Sequence, residues 1–127
     1  MKILYVEDNA DLREGIGELM EGVDRAVVGC ADAEEGLALF NADPFDVVIT
    51  DVSLPGMSGT DLARIILASR PQQRIVLCTG YDFGAQAATL GARVRTLVKP
   101  FELEALESLL AELEAELRSE RAPRAHP

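Results

Sequence analysis

The chain reads as an α/β protein, a doubly wound parallel sheet of five strands with helices on both faces. Three observations predict it. Short apolar runs alternate five times with segments of helical periodicity, the order that builds parallel βαβ units. The third run, residues 45–50, is apolar apart from Asp46, as a strand covered on both faces is. Four runs finish on polar groups, namely Glu7 with Asp8, Asp51, Thr79 and Lys99. In an open parallel sheet those finishes share one edge, and ligands bind there.

The elements follow in order. Strand 1 is expected over residues 2–6. A helix over 11–23 follows, with Leu12, Ile16, Leu19, Met20 and Val23 at helical spacing. Strand 2 spans 25–30. Asp32 with Glu35 three residues on forms a capping-box variant for helix 2, which Leu37 and Phe40 bury and Asp43-Pro44 ends. Strand 3 runs into Asp51 and the Pro55-Gly56 turn. Ser58 caps helix 3, with Leu62, Ile65 and Ile66 as its expected buried face. Strand 4 covers 74–78. The Ala-rich stretch 82–91, with two glycines and few large apolar groups, predicts a short, weakly held helix 4. Strand 5 covers 94–98 and helix 5 runs from 102 to about 118. One domain, residues 1–118, and a frayed tail over 119–127 are expected.

At 127 residues the chain can bury about two-thirds of its unfolded surface in a single domain. Its net charge of −10 argues against nucleic-acid or anionic-membrane binding, both of which need clustered Lys and Arg. A basic partner or a divalent cation is the natural complement. Cys30 and Cys78 lie in separate strands without zinc spacing and read as buried thiols of a reducing compartment; His126, in the tail, looks incidental. No basic start or long apolar segment is present, so a soluble, cytoplasmic protein is expected.

Carboxylates converging on one point repel unless a cation lies between them. Mg²⁺ takes hard oxygen ligands, and Glu7, Asp8 and Asp51 could supply that set. An aspartate beside such a metal can accept a phosphoryl group as an acyl phosphate. Lys99 suits the ammonium that neutralises the transferring oxygens, and Thr79 suits a hydrogen bond to one of them. Each group alone has a plain alternative: Asp8 as a helix cap, Asp51 as a turn starter, Thr79 as a turn residue, Lys99-Pro100 as a strand exit. It is the joint pattern that points to a site.

That pattern resembles the receiver domain of two-component response regulators. The matching residues are Val6-Glu7-Asp8, Thr50-Asp51 with residues 54–59, Thr79-Gly80 and Lys99-Pro100-Phe101, within a likeness running from Lys2 to about Leu117. The resemblance implies a flavodoxin-like sheet of order 2-1-3-4-5 with five helices, an order that receivers share with other doubly wound proteins. It implies that Asp51 accepts a phosphoryl group from a phosphohistidine on a histidine kinase or histidine phosphotransfer domain. Asp8, Asp51 and the Ser53 backbone carbonyl would hold Mg²⁺ directly, and Glu7 through water. Thr79 and Lys99 would contact the phosphoryl group. Ser53 and Tyr81 match positions that tune its lifetime. A phosphoacceptor signalling to a downstream protein, not an enzyme, is implied.

The sequence departs from the family between strand 4 and the end of strand 5. Most receivers carry Tyr or Phe three residues before the strand 5 lysine, where this chain has Thr96. Gly80 replaces the commoner Ala, and the interval from Thr79 to Lys99 is slightly short. Tyr81 could take over as the moving aromatic. Residues 77–81 partly resemble variant single-domain receivers and receivers of hybrid kinases. In helix 5, Leu103, Leu106, Leu110, Leu113 and Leu117 could pack on the sheet or form a dimer seam, with a homodimer through helix 4, strand 5 and helix 5 as an open reading. Two competing functions remain. One is a phosphorylation-independent interaction module. The other is an aspartyl-phosphate phosphohydrolase, against which Ser53 stands where such enzymes carry a second Asp.

Overall fold

The computed structural model describes residues 1–81 and 84–121. Strands β1 (Lys2–Val6), β2 (Ala26–Cys30), β3 (Val47–Asp51), β4 (Arg74–Thr79) and β5 (Val94–Val98) alternate with helices α1 (Ala10–Met20), α2 (Ala33–Ala42), α3 (Gly59–Ser69), α4 (Gly84–Leu90) and α5 (Leu103–Arg121). The strands form one parallel sheet in the order β2-β1-β3-β4-β5, as expected. Side chains alternate across it. Leu4, Val6, Val48, Ile75 and Leu77 face α2, α3 and α4, where Phe40, Leu62, Ile66 and Ala87 complete one core layer. Ile3, Tyr5, Ile49, Val76 and Cys78 face Met20 of α1 and the α5 leucines in the other. All residues of β3 and β4 are buried, the environment their apolar runs predict.

Helix starts follow their caps. Asp32 Oδ1 accepts from Glu35 N at 2.7 Å, and Ser58 Oγ accepts from Asp61 N at 3.1 Å. The first helix differs from expectation. It starts at Ala10, because the Asn9 side chain caps it by accepting from Leu12 N. It ends at Met20 because Gly22 and Arg25 pair in a tight turn that puts Val23 at a fully exposed tip. Leu12 and Leu19, 44% and 52% exposed, lie on the outward side of α1, so helical spacing here marks the helix without marking its buried face. In α3 the expected burial of Ile65 is corrected: it is 43% exposed, and Ala63 occupies the inner position between Leu62 and Ile66. The two thiols are free and sit on opposite faces of the sheet. Helix α5 continues to Arg121, past the expected Arg118. Residues 82 and 83, at the start of the expected helix 4, and the tail from 122, with His126, lie outside the described residues.

Leu106, Leu110, Leu113 and Leu117 are buried in the protein's own core, while Leu103 is half-exposed. Acids flank this leucine stripe on both sides. Glu107 and Glu114 hold Arg25 before β2, at 3.2 and 2.5 Å. On the other side Glu112, Glu116 and Glu120 engage Arg74 of β4, and Arg93 and Arg95 at β5. Arg74 is buried, its guanidinium 3.1 Å from both Glu116 and Glu120. Helix α5 is therefore fastened by an apolar seam between two rows of ion pairs. Charge-assisted hydrogen bonds made by a buried guanidinium stabilise more than exposed pairs do. Arg74→Ala is expected to cost about 2 kcal/mol, and Arg95→Ala, at a more exposed pair, less than about 1 kcal/mol; urea unfolding of the two variants measures the difference.

Candidate functional site

The strand order brings the polar finishes together. Glu7 and Asp8 follow β1, Asp51 is the last residue of β3, Thr79 the last of β4, and Lys99 the first after β5, so four adjacent strands deliver them to one edge. Register lines up the ends, with Val6 opposite Thr50, Asp51 opposite Cys78, and Thr79 opposite Val98. One carboxylate oxygen each from Glu7, Asp8 and Asp51 lies within 4.8 Å of the others. Glu7 and Asp51 are buried, Asp8 is exposed, and the cluster therefore opens to solvent on the Asp8 side.

Lys99 is the cation of the site. Its Nζ lies 2.5 Å from Asp51 Oδ1 and donates to Glu7 Oε1 at 3.0 Å. Its backbone N donates to Thr79 O at 2.7 Å, so both its main chain and its side chain are fixed. Burial favours the neutral amine, but the hydrogen bonds to Asp51 and then Glu7 outweigh it and hold the ammonium above the ordinary lysine range. Three carboxylates against one ammonium leave a formal excess of negative charge. A divalent cation with oxygen ligands fits both that excess and the donor set.

Neighbouring contacts shape the site, and several involve residues that sequence reasoning missed. Arg13 of α1 donates to Glu7 O at 2.8 Å, and Asn9 N donates to Glu7 Oε2 at 3.3 Å. The sequence marks Arg13 only as a polar helix position; its reach back to the loop is a tertiary fact. Gly59 at the start of α3 presses on the Asp51 carbonyl, and a Cβ there would lie 1.8 Å from that oxygen, so the position admits glycine alone. Gly59 N closes the preceding loop by donating to Val52 O at 2.9 Å. Ser53 is exposed in that loop. Thr79 is buried, and its Oγ1 accepts from Tyr81 N at 3.3 Å, while the Tyr81 side chain stands 56% exposed. Thr96 is half-buried in β5 opposite Leu77.

Residues 3–111 match the response regulator receiver domain. The chain belongs to that family. It is 36% identical over 113 residues to the response regulator protein FleR of Pseudomonas aeruginosa, covering 87% of this receiver chain and 24% of FleR. It spans about a quarter, 24% and 23%, of the length of FleR and of the regulatory protein DctD of Rhizobium meliloti. Among solved structures it superimposes on the chemotaxis response regulator CheY4 of Vibrio cholerae with a TM-score of 0.79 at 27% identity, covering 88% of this chain and 97% of that one. TrrA of Thermotoga maritima, solved in complex with Mg(2+)-BeF, matches with a TM-score of 0.78 at 26% identity, again over 88% and 97%. Receivers serve two-component signalling as phosphoacceptors rather than as turnover enzymes, and their phosphodonors are in general histidine kinases. No helix among the described residues is long and apolar enough to cross a membrane.

The thiol beside the site has a measurable consequence. Burial first, then the neighbouring Asp51, push Cys78 up from 9.0 to about 12, and burial first, then Glu35, does the same for Cys30. Between pH 9.0 and about 12 the unfolded chain has released these protons while the folded receiver keeps them. Their contribution is therefore complete below that window and is lost as pH rises through it. Urea unfolding is expected to show stability falling across this range, with a shallower fall in Cys78→Ala.

Proposed function

We propose that this receiver is a phosphorylation switch in which Asp51 takes a phosphoryl group from a phosphohistidine of a kinase or phosphotransfer domain. An Asp51 carboxylate oxygen forms the new P–O bond as the P–N bond to the donor imidazole breaks. The observation that carries the reading is Lys99 Nζ at 2.5 Å from Asp51 Oδ1, inside a cluster of three carboxylates. A lysine so held neutralises charge on the transferring oxygens without reorganising during the reaction. The buried Thr79 hydroxyl supports a second contact to a phosphoryl oxygen. Asp8, Asp51 and the Ser53 carbonyl are proposed to hold Mg²⁺, with Glu7 acting through water. When bound, Mg²⁺ would supply charge neutralisation at the phosphoryl oxygens.

Output is proposed to start at Thr79. A phosphoryl group adds about −1.5 to −2 charge. A Thr79 hydroxyl drawn toward it would disturb the hydrogen bond from Tyr81 N and so move the exposed Tyr81 ring, at a chain that has Thr96 in place of the usual aromatic. The donor is proposed to dock beside the site as a histidine-bearing helix. Leu12 and Ile16 of α1 and Lys99, Pro100 and Phe101 line a cavity of about 320 Å³. Lys99 belongs to both cavity and site, which supports continuity between docking and transfer.

Intact mass after incubation with Mg²⁺ and a small acyl-phosphate donor tests the chemistry. One Mg²⁺-dependent phosphoryl adduct, labile in alkali and missing from Asp51→Asn, is expected; a protein that takes no adduct and binds no Mg²⁺ would instead be a phosphorylation-independent module. The docking surface has its own signature. Leu12→Asp is expected to slow transfer from a phosphohistidine donor about tenfold while labelling by the small donor proceeds as before, which rapid-quench kinetics with both donors would read.

A further inference from the structure

The loop over residues 52–58 joins Asp51 to α3 and carries the Ser53 carbonyl. From the inside it is held by Val52, Leu54 and Met57, which pack on the α2–α3–α4 side of the core. Its far end is fixed by Gly59 against the Asp51 carbonyl. From the outside it meets a residue of a different element. Glu34, in the first turn of α2, accepts a hydrogen bond from Met57 N on Oε1 at 2.9 Å. The same oxygen would lie 2.9 Å from a Cβ on Gly56, so the carboxylate sits directly over the Gly56–Met57 peptide. Gly56 has a φ of 75°, a conformation that glycine enters and leaves at little steric cost.

From this geometry we infer that Glu34 is a positioning residue for the metal site. Its hydrogen bond to Met57 selects one conformation of a loop whose glycine permits several, and that conformation sets where the Ser53 carbonyl stands relative to Asp51. Ordering the loop before the cation arrives removes part of the cost of binding it. The inference rests on the reading above that the Ser53 carbonyl and the acid cluster hold Mg²⁺. A simpler role for Glu34 also exists. An acid in the first turn of a helix is favoured there by the helix dipole alone, and Glu35 shares that turn. The two roles separate by chemistry, because glutamine keeps the carbonyl acceptor for Met57 N and loses the charge.

Calorimetric titration of Mg²⁺ into the unmodified protein, Glu34→Ala and Glu34→Gln tests this, with amide hydrogen exchange at Met57 as a second readout. Glu34→Ala is expected to weaken Mg²⁺ binding about three- to tenfold and to speed Met57 exchange, and Glu34→Gln to restore most of both. Glu34 is exposed, so both variants should fold. Equal Mg²⁺ affinity in Glu34→Ala and the unmodified protein would overturn the inference alone. A glutamine variant as weak as the alanine one would also overturn it, by assigning the effect to charge. An unmodified protein that bound no Mg²⁺ would overturn the metal reading and the inference together.

Discussion

A carboxylate that closes a strand buried on both faces needs a cation within reach, and the ion pair between Lys99 and Asp51 meets that need. Asp51 is the last of five buried residues in β3. Lys99 leaves β5, on the far side of β4, and its long side chain crosses the end of β4 to reach Asp51 and Glu7. One ammonium therefore couples the finishes of β1, β3 and β5, while its backbone holds Thr79 at the end of β4. An unpaired carboxylate in this position would be costly to bury. The same pairing that makes the burial tolerable pre-sets the charge arrangement that the proposed phosphoryl transfer would call for.

Charge is partitioned along the strands. Acids gather at the strand ends, around Glu7, Asp8 and Asp51, while arginines gather at or near the strand starts, at Arg25, Arg74, Arg93 and Arg95. Helix α5 meets those arginines with five glutamates. Much of the chain's acidic excess on α5 is thus engaged within the protein, and the net charge of −10 does not translate into a bare acidic face on that helix. A basic partner, one complement suggested by composition, has less free acid to meet there than composition implies. The small cluster of Glu7, Asp8 and Asp51 at the strand ends is a group that could hold a metal ion.

Each loop at that edge is tied down by contacts from neighbouring elements. The loop after β1 is tied down by Arg13 and Asn9, and the one after β3 by Gly59, Met57 and Glu34. After β4, Tyr81 N donates to Thr79 Oγ1 and Lys99 N donates to Thr79 O.

The order of elements, the parallel sheet, its strand order through the family resemblance and the candidate residues Glu7, Asp8, Asp51, Thr79 and Lys99 were legible in the sequence. Strand-end polarity and burial-driven apolar runs are local patterns, and a parallel sheet converts them into one edge. Helix caps at Asp32 and Ser58 were legible for the same reason, since a cap acts within three residues. What faces inward on a helix was less so: Ile65 and Leu19 have the right composition but the wrong azimuth, which depends on how each helix is seated on the sheet. Contacts between residues far apart in the chain were not legible at all. The reach of Arg13 to Glu7 O, of Glu34 to Met57 N, and of the α5 glutamates to Arg25 and Arg74 depends on packing that brings distant elements within hydrogen-bond range, and no spacing in one dimension encodes it.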